Sequence, residues 1–328
     1  MVNFRSLSKL KRSRQIATIL VKYGLDCFID RSKMGFLIKI RKRPKDYQTI
    51  TVPERLRLAL DELGPTFVKF GQILSTRPDL LPPVFIEELE KLQDRVAPFD
   101  SIQAKKIVEQ ELGKPLDQLF KQFESKPIAA ASLSQVHKAT LLNGKTVAVK
   151  IQRPKIKEII ELDLDISIDL AGLLEHRLHN GWVYHPKLIV KEFKRAIEKE
   201  INFKNEAHNY EKFRINFKDI DYIKVPKVYW EMTTSKVLVM EFIDGVKINE
   251  ITHKKHKDIF ELEKVAKHGA ESVLKQILED GFFHADPHPG NLLIMPGGVL
   301  GVLDYGIVGR LEPSDRYNLG RLFVNVIQ

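Results

Sequence analysis

The chain has 328 residues, 43% apolar and 29% charged, a globular balance that excludes disorder and collagen-like repeats and leaves room for two domains or one bilobal one. Its single cysteine, Cys27, cannot close an internal disulfide, so the fold needs no oxidising compartment. The formal charge is +10, and the first fifty residues carry all of it, with thirteen Lys or Arg against three Asp. Basicity is therefore local to one end, which points to an attachment site rather than to a basic catalytic body.

No apolar run approaches the ~20 residues that cross a bilayer, and no signal-peptide pattern opens the chain. Residues 1–50 read as a basic amphipathic segment. Leu7, Leu10, Ile16, Ile19, Leu20 and Tyr23 make a broad apolar face, with Lys9, Lys11, Arg12, Arg14 and Lys22 around it. Such a helix fits an anionic membrane lipid surface, and it equally fits a solvated helix packed on its own domain. Nucleic acid fits poorly, because aromatic residues are sparse and no base-reading motif is present. Arg41-Lys42-Arg43-Pro44-Lys45 reads as a linker.

Residues 51–115 read as a helical extension with turns at Gly64-Pro65, Pro82-Pro83 and Pro98. It contains Lys69-Phe-Gly71-Gln72, which periodicity alone places on an amphipathic helix, with Lys69, Gln72 and Arg77 at the surface.

Residues 116–244 read as a small lobe with a long helical insert. Ala129, Ala130, Ala131 and Ser132 form a loop ahead of two strands joined at Asn143-Gly144, a favoured two-residue turn. The second strand carries Val147-Ala-Val-Lys150, the pattern of a kinase third strand whose lysine neutralises the α and β phosphates. Where an ordinary kinase places a glycine-rich loop, alanine and serine stand instead. Alanine resists positive φ, so the loop should be stiffer, with Ser132 or Ser134 hydroxyls in place of backbone amides. In the insert, Glu158, Glu161, Asp163, Asp165 and Asp169 read as a solvated face. Glu198, Glu200 and Glu206 are candidates to pair with Lys150; Glu206 suits best, and Glu200 stays open on pattern alone. Tyr222–Trp230 and Lys236–Gly245 read as two strands closing the lobe, the second passing Glu241 and Phe242 into a hinge whose backbone would meet adenine.

Residues 245–328 read as a partial large lobe. A helix over Phe260–Asp280 leads into His284-Ala-Asp286-Pro-His288-Pro-Gly-Asn291, then a strand, a Pro-Gly-Gly turn, a second strand and Asp304-Tyr305-Gly306. Asp286 with Asn291 five residues on, and Asp304 after a hairpin, is the spacing of a kinase catalytic loop and its metal-binding triplet. The loop carboxylate must reach the acceptor hydroxyl, while Asn291 and Asp304 meet across the hairpin to hold Mg²⁺ against the phosphates. Reading His284, Asp286 and His288 as a zinc or iron cluster is weaker, since Asn291 and Asp304 supply the oxygen ligands Mg²⁺ prefers.

Taken together, Lys69-x-Gly71-Gln72, the alanine-rich loop, Val-Ala-Val-Lys150, Glu206, Asp286, Asn291 and Asp304-Tyr-Gly306 resemble the UbiB/ADCK family of atypical kinases over residues 52–310. The resemblance implies an α+β, bilobal protein-kinase-like fold with an N-terminal helical extension folded over the active site. It implies ATP and Mg²⁺ as cofactors, and support of isoprenoid-quinone (ubiquinone) biosynthesis beside membrane-bound quinone-biosynthesis enzymes, from the cytoplasm and peripheral at the inner membrane. Lys69 and Gln72 would lie where a peptide substrate normally binds, and Ala129 to Ser132 would cover the nucleotide. Lys150 and Glu206 would pair, Asp286 would be the catalytic carboxylate, and Asn291 with Asp304 would hold magnesium.

Two positions depart from the family pattern. The Glu-x-Asp motif that meets the lysine of Lys-x-Gly-Gln stands as Glu200-Ile-Asn202, which weakens or rearranges that contact. Tyr305 replaces phenylalanine, a change the ring tolerates while its hydroxyl finds water. Since family members continue into further helices beyond the position of Gln328, the large lobe is expected to be truncated, with apolar surface left uncovered. The competing functional readings are a small-molecule phosphotransferase of the aminoglycoside or choline kinase type and a nucleotide-gated scaffold.

Overall fold

The computed structural model describes residues 4–25, 50–92, 96–177, 185–250, 261–286 and 289–327. Cys27, the Arg41-to-Lys45 linker and His288 lie outside the described residues. The chain divides into two compact units. One takes Met1–Phe99, Ala129–Gln135 and Gln152–Lys199; the other takes Asp100–Ile128, Val136–Ile151 and Glu200–Gln328.

The strands in chain order are β1 (Phe120–Phe123), β2 (Ala129–Ala130), β3 (Ser134–Leu141), β4 (Thr146–Gln152), β5 (Ile223–Lys224), β6 (Val237–Glu241), β7 (Val246–Lys247), β8 (Phe282–His284), β9 (Leu292–Met295), β10 (Val299–Val302) and β11 (Val308–Arg310).

The first unit is helical. Thr51 opens the helix Val52–Leu63 by accepting the Glu54 N–H, and Pro65 opens the next, Pro65–Ser75, where its missing N–H does no harm. The core joins Ile16, Ile19 and Leu20 of the helix Phe4–Lys22 to Leu60, Leu63, Phe67, Leu89 and Ile166. The C-terminal half of the basic helix is thus packed on its own unit, while Leu7 and Leu10 stay exposed. Three of its cations are matched: Lys9 meets Asp169 at 2.7 Å, and Lys22 meets Glu62 at 2.5 Å. Arg12 grips Asp163 with two bonds of 2.7 and 3.0 Å and also donates to the Leu63 carbonyl. This corrects the solvated reading of Asp163, which is 0% exposed. Asp163 belongs to the helix Ile156–Arg177 and takes its partner from the N-terminal helix.

The second unit carries the sheets. One runs β1-β3-β4-β6, a second β5-β10-β9-β7, and β8 pairs with β11. β3 and β4 are joined by a three-residue loop, not the expected two-residue turn. Leu141 and Lys145 close it, and Gly144 sits at φ +86°, a left-handed conformation that a side chain would oppose. The Tyr222–Trp230 segment does not add a full strand to the first sheet either. Ile223 and Lys224 pair in parallel with β10, and only Val228 bridges to Met240. Pro226 between them has no N–H to continue a ladder. The unit's core gathers Phe203, Tyr210, Phe213, Leu238, Ile294, Leu300 and Tyr305.

Removing the guanidinium with Arg12→Met leaves the Asp163 carboxylate buried and unmatched, which should cost about 3 kcal/mol in urea unfolding. Adding Asp163→Leu to that variant should restore most of the loss.

Candidate active site

Lys150 stands near the end of β4, the strand between β3 and β6, in register with Leu238. Val147, Val149 and Ile151 fill one face of β4, leaving Lys150 on the face shared with Ala148. Its ammonium lies 2.8 Å from both Glu206 carboxylate oxygens and 3.3 Å from Asp304 Oδ2, with the Phe203 ring 5.4 Å away. Glu206, rather than Glu200, is therefore the partner. The helix that presents it, Phe203–Asn216, is capped by Asn202, whose side chain accepts the Lys204 N–H at 3.1 Å.

Asp304 arrives by a hairpin. β9 and β10 pair from Val299↔Met295 to Val302↔Leu292, and the Leu303 N–H reaches the Asn291 carbonyl at 2.9 Å. Asn291 thus sits opposite Leu303, one residue before Asp304. The Gly306 N–H fixes Asp304 Oδ1 at 2.7 Å. Two residues that sequence reasoning passed over hold this turn from the Glu206 helix. Asn209 Nδ2 donates to the Tyr305 carbonyl at 2.8 Å, and the Tyr210 hydroxyl donates to the Leu303 carbonyl. Glu206, Asn209 and Tyr210 are spaced i, i+3, i+4 and share one helix face, a signal the sequence did contain. Tyr305 packs against Tyr210 and Phe213 and is 2% exposed, so its hydroxyl has little access to bulk water. Burial pushes the pKa of both phenols well up.

Asp286 is exposed, on the loop after β8. Its N–H donates to His284 Nδ1 at 3.0 Å, which leaves the proton on Nε2 to donate to the Asp304 carbonyl. Both ring nitrogens are engaged within the protein, and among the described residues no group of three His, Cys, Asp or Glu is placed to hold a metal.

One ammonium faces two carboxylates. Burial works to lower the Lys150 pKa, but the fields of Asp304 and Glu206 outweigh it and raise it. Glu206, 3% exposed, bears the desolvation and is pushed up to about 7, with Lys150 opposing and Asp304 and Glu200 adding to the rise. Asp304 stays accessible, its side chain 41% exposed. Its carboxylate and the Asn291 amide are hard oxygen donors at one hairpin end, which fits Mg²⁺.

At the end of β6, Glu241 and Phe242 have their N–H groups committed to the Lys227 and Thr146 carbonyls. Glu241 Oε1 meets Lys224 at 2.7 Å, and Oε2 accepts the Lys227 N–H. An adenine would therefore have to be read through other backbone groups of the hinge than these two donors.

The remaining sequence candidates belong to the first unit. Ala131 N–H donates to the Ser134 carbonyl, Arg153 Nε donates to the Ala131 carbonyl, and Ala129 and Ala130 form β2. Ser132 and Ser134 are buried rather than presented as surface hydroxyls. Lys69 is 8% exposed, contrary to its periodicity-based surface placement, and Gln72 donates to the Leu92 carbonyl at 3.2 Å. A void of about 10 Å³ in this unit, lined by Thr66, Phe67 and Phe193 among others, includes none of the candidate residues.

Residues 91–328 match the ABC1 atypical kinase-like domain. The chain belongs to that family. Among curated ABC1 relatives, it is 40% identical over 96% of its length to a probable protein kinase UbiB of Marinobacter nauticus, of which it covers 59%. It is 38% and 37% identical to the chloroplastic proteins Activity of bc1 complex kinase 7 and 8 of Arabidopsis thaliana, covering 46% and 43% of them. The chain thus spans about half the length of these relatives. The erythromycin complex of Rv3197 from Mycobacterium tuberculosis is similar in structure, with a TM-score of 0.55 and 30% identity over 76% of this chain and 63% of that one. The ABC1 assignment makes the fold α+β and kinase-like, with N-terminal helices, and implies nucleotide binding.

Glu206 has a raised folded-state pKa, so its contribution to stability is full below 4.5 and is lost as pH rises through about 7. Glu206→Gln should remove this component of the pH dependence in denaturation midpoints. Asp304→Asn should move the Glu206 carboxyl titration, followed by carbon-13 NMR, to lower pH.

Proposed function

We propose that the protein binds Mg-ATP in its second unit and cleaves the γ-phosphate, transferring it to a hydroxyl or to water. The observation that carries this reading is the convergence of Lys150, Glu206 and Asp304 within hydrogen-bonding distance, with Asn291 and Asp286 delivered to the same region by one hairpin and one loop. Glu206 would orient the Lys150 ammonium toward the phosphates, neutralising charge that builds on the bridging oxygens. Asn291 and Asp304 would hold Mg²⁺, which supplies charge neutralisation at the β and γ oxygens. Asp286, exposed and tethered through its own N–H, would accept the proton of the attacking hydroxyl as the γ-phosphorus–oxygen bond to ADP breaks.

The proposed setting is the surface of an inner membrane on its cytoplasmic side, in support of isoprenoid-quinone biosynthesis and its membrane-bound enzymes. Kinship with a probable protein kinase UbiB supports this. So does the exposed end of the first helix, where Leu7 and Leu10 stand beside exposed Lys11 and Arg14. Among the described residues no helix is long and apolar enough to cross a membrane.

Phosphate release from ATP should fall by about 10²-fold or more in Asp286→Asn with nucleotide affinity retained, and Mg²⁺-dependent binding should fail in Asp304→Asn. Wild-type turnover in Asp286→Asn would favour a scaffold over an enzyme. Liposomes containing phosphatidylglycerol should bind the protein, and Leu7→Glu with Leu10→Glu should release it without changing nucleotide binding.

A further inference from the structure

The helix Leu262–Leu274 passes directly into a π-turn over Lys275–Asp280. Such turns are rare and re-aim side chains, often beside functional sites. Here the widened turn is pinned at i, i+5, where Lys275 Nζ meets Asp280 Oδ1 at 2.7 Å, and Lys275 also covers the Phe217 ring at 5.4 Å. Gly281 then ends the helix in a left-handed conformation, φ +59°.

Within this turn Gln276 is buried, and its Oε1 accepts the His284 main-chain N–H at 2.9 Å. That N–H has no ladder partner to use. β8 pairs with β11 so that the Ala285 N–H points to the Ile307 carbonyl, which turns the N–H of its neighbour His284 to the open edge of the two-stranded sheet. The His284 ring in turn joins the Asp286 N–H to the Asp304 carbonyl. Gln276 is thus one hydrogen bond away from the residue that ties both candidate catalytic segments together.

We propose that Gln276, delivered by the π-turn, is a positioning residue for the catalytic loop: it fixes the His284 backbone so that the ring holds Asp286 and Asp304 in their mutual placement. The proposal rests on the kinase-type reading above. Gln276→Leu removes the acceptor at similar volume, whereas Gln276→Glu keeps it. In amide hydrogen exchange of the intact protein, Gln276→Leu should speed exchange at His284 and Asp286, and Gln276→Glu should leave both protected. With Mg-ATP, kcat should fall on the order of tenfold in Gln276→Leu at unchanged KM, and Gln276→Glu should keep it.

Unchanged protection at His284 in Gln276→Leu overturns the proposal. So does a parallel loss of kcat, KM and thermal midpoint in both variants, which marks a packing role only. If the wild-type protein turns over no ATP, the kinase-type reading fails, and the exchange measurement alone still decides whether Gln276 holds the loop.

Discussion

The second unit depends on one ammonium held between two carboxylates. Taking a lysine and a glutamate out of water costs several kcal/mol per ion, and attraction repays this only when partners are already in place. The structure meets that condition from three directions. A central strand delivers Lys150, a capped helix delivers Glu206, and a hairpin delivers Asp304. The same helix then bonds the backbone on both sides of Asp304 through Asn209 and Tyr210, so the position of one carboxylate is enforced by the element that carries the other.

Much of this was legible in the sequence because it rests on local pattern. Alternation placed Lys150 on a strand, and the Pro-Gly-Gly turn between two apolar runs announced the hairpin before Asp304. What could not be read depended on contacts distant in sequence. Asp163 looked solvated among its acidic neighbours because Arg12, 151 residues away, was invisible as its partner. Lys69 was placed at the surface by helical periodicity and is buried. The π-turn left no mark at all, since one widened turn barely disturbs a 3.6-residue hydrophobic period. The strand misassigned at Tyr222 had a local warning in Pro226, and β-propensity overrode it.

The basic N-terminal segment shows how net charge can mislead. Three of its cations, Lys9, Arg12 and Lys22, are matched by Asp169, Asp163 and Glu62 on other helices of the unit. Their charge serves internal cohesion, and little of it projects outward. The sequence places their carboxylates outside the first fifty residues, so these three pairs add to the formal excess counted there. Among the described residues of the segment, Lys11 and Arg14 stay exposed near Leu7 and Leu10.

Electrostatic imbalance gives the site its responsiveness. With two carboxylates on one cation, the buried member carries the strain, and desolvation raises the Glu206 pKa. The exposed member, Asp304, contributes to that by its field. Neutralising Asp304, by substitution or by a bound cation, removes a repulsion from Glu206 and leaves it the sole anionic partner of Lys150. The pair then becomes one cation with one buried anion, balanced within itself, and the ammonium no longer needs Asp304. A site built this way stores its asymmetry in the resting state, on a strand, a helix and a hairpin that are also held by backbone hydrogen bonds of their own.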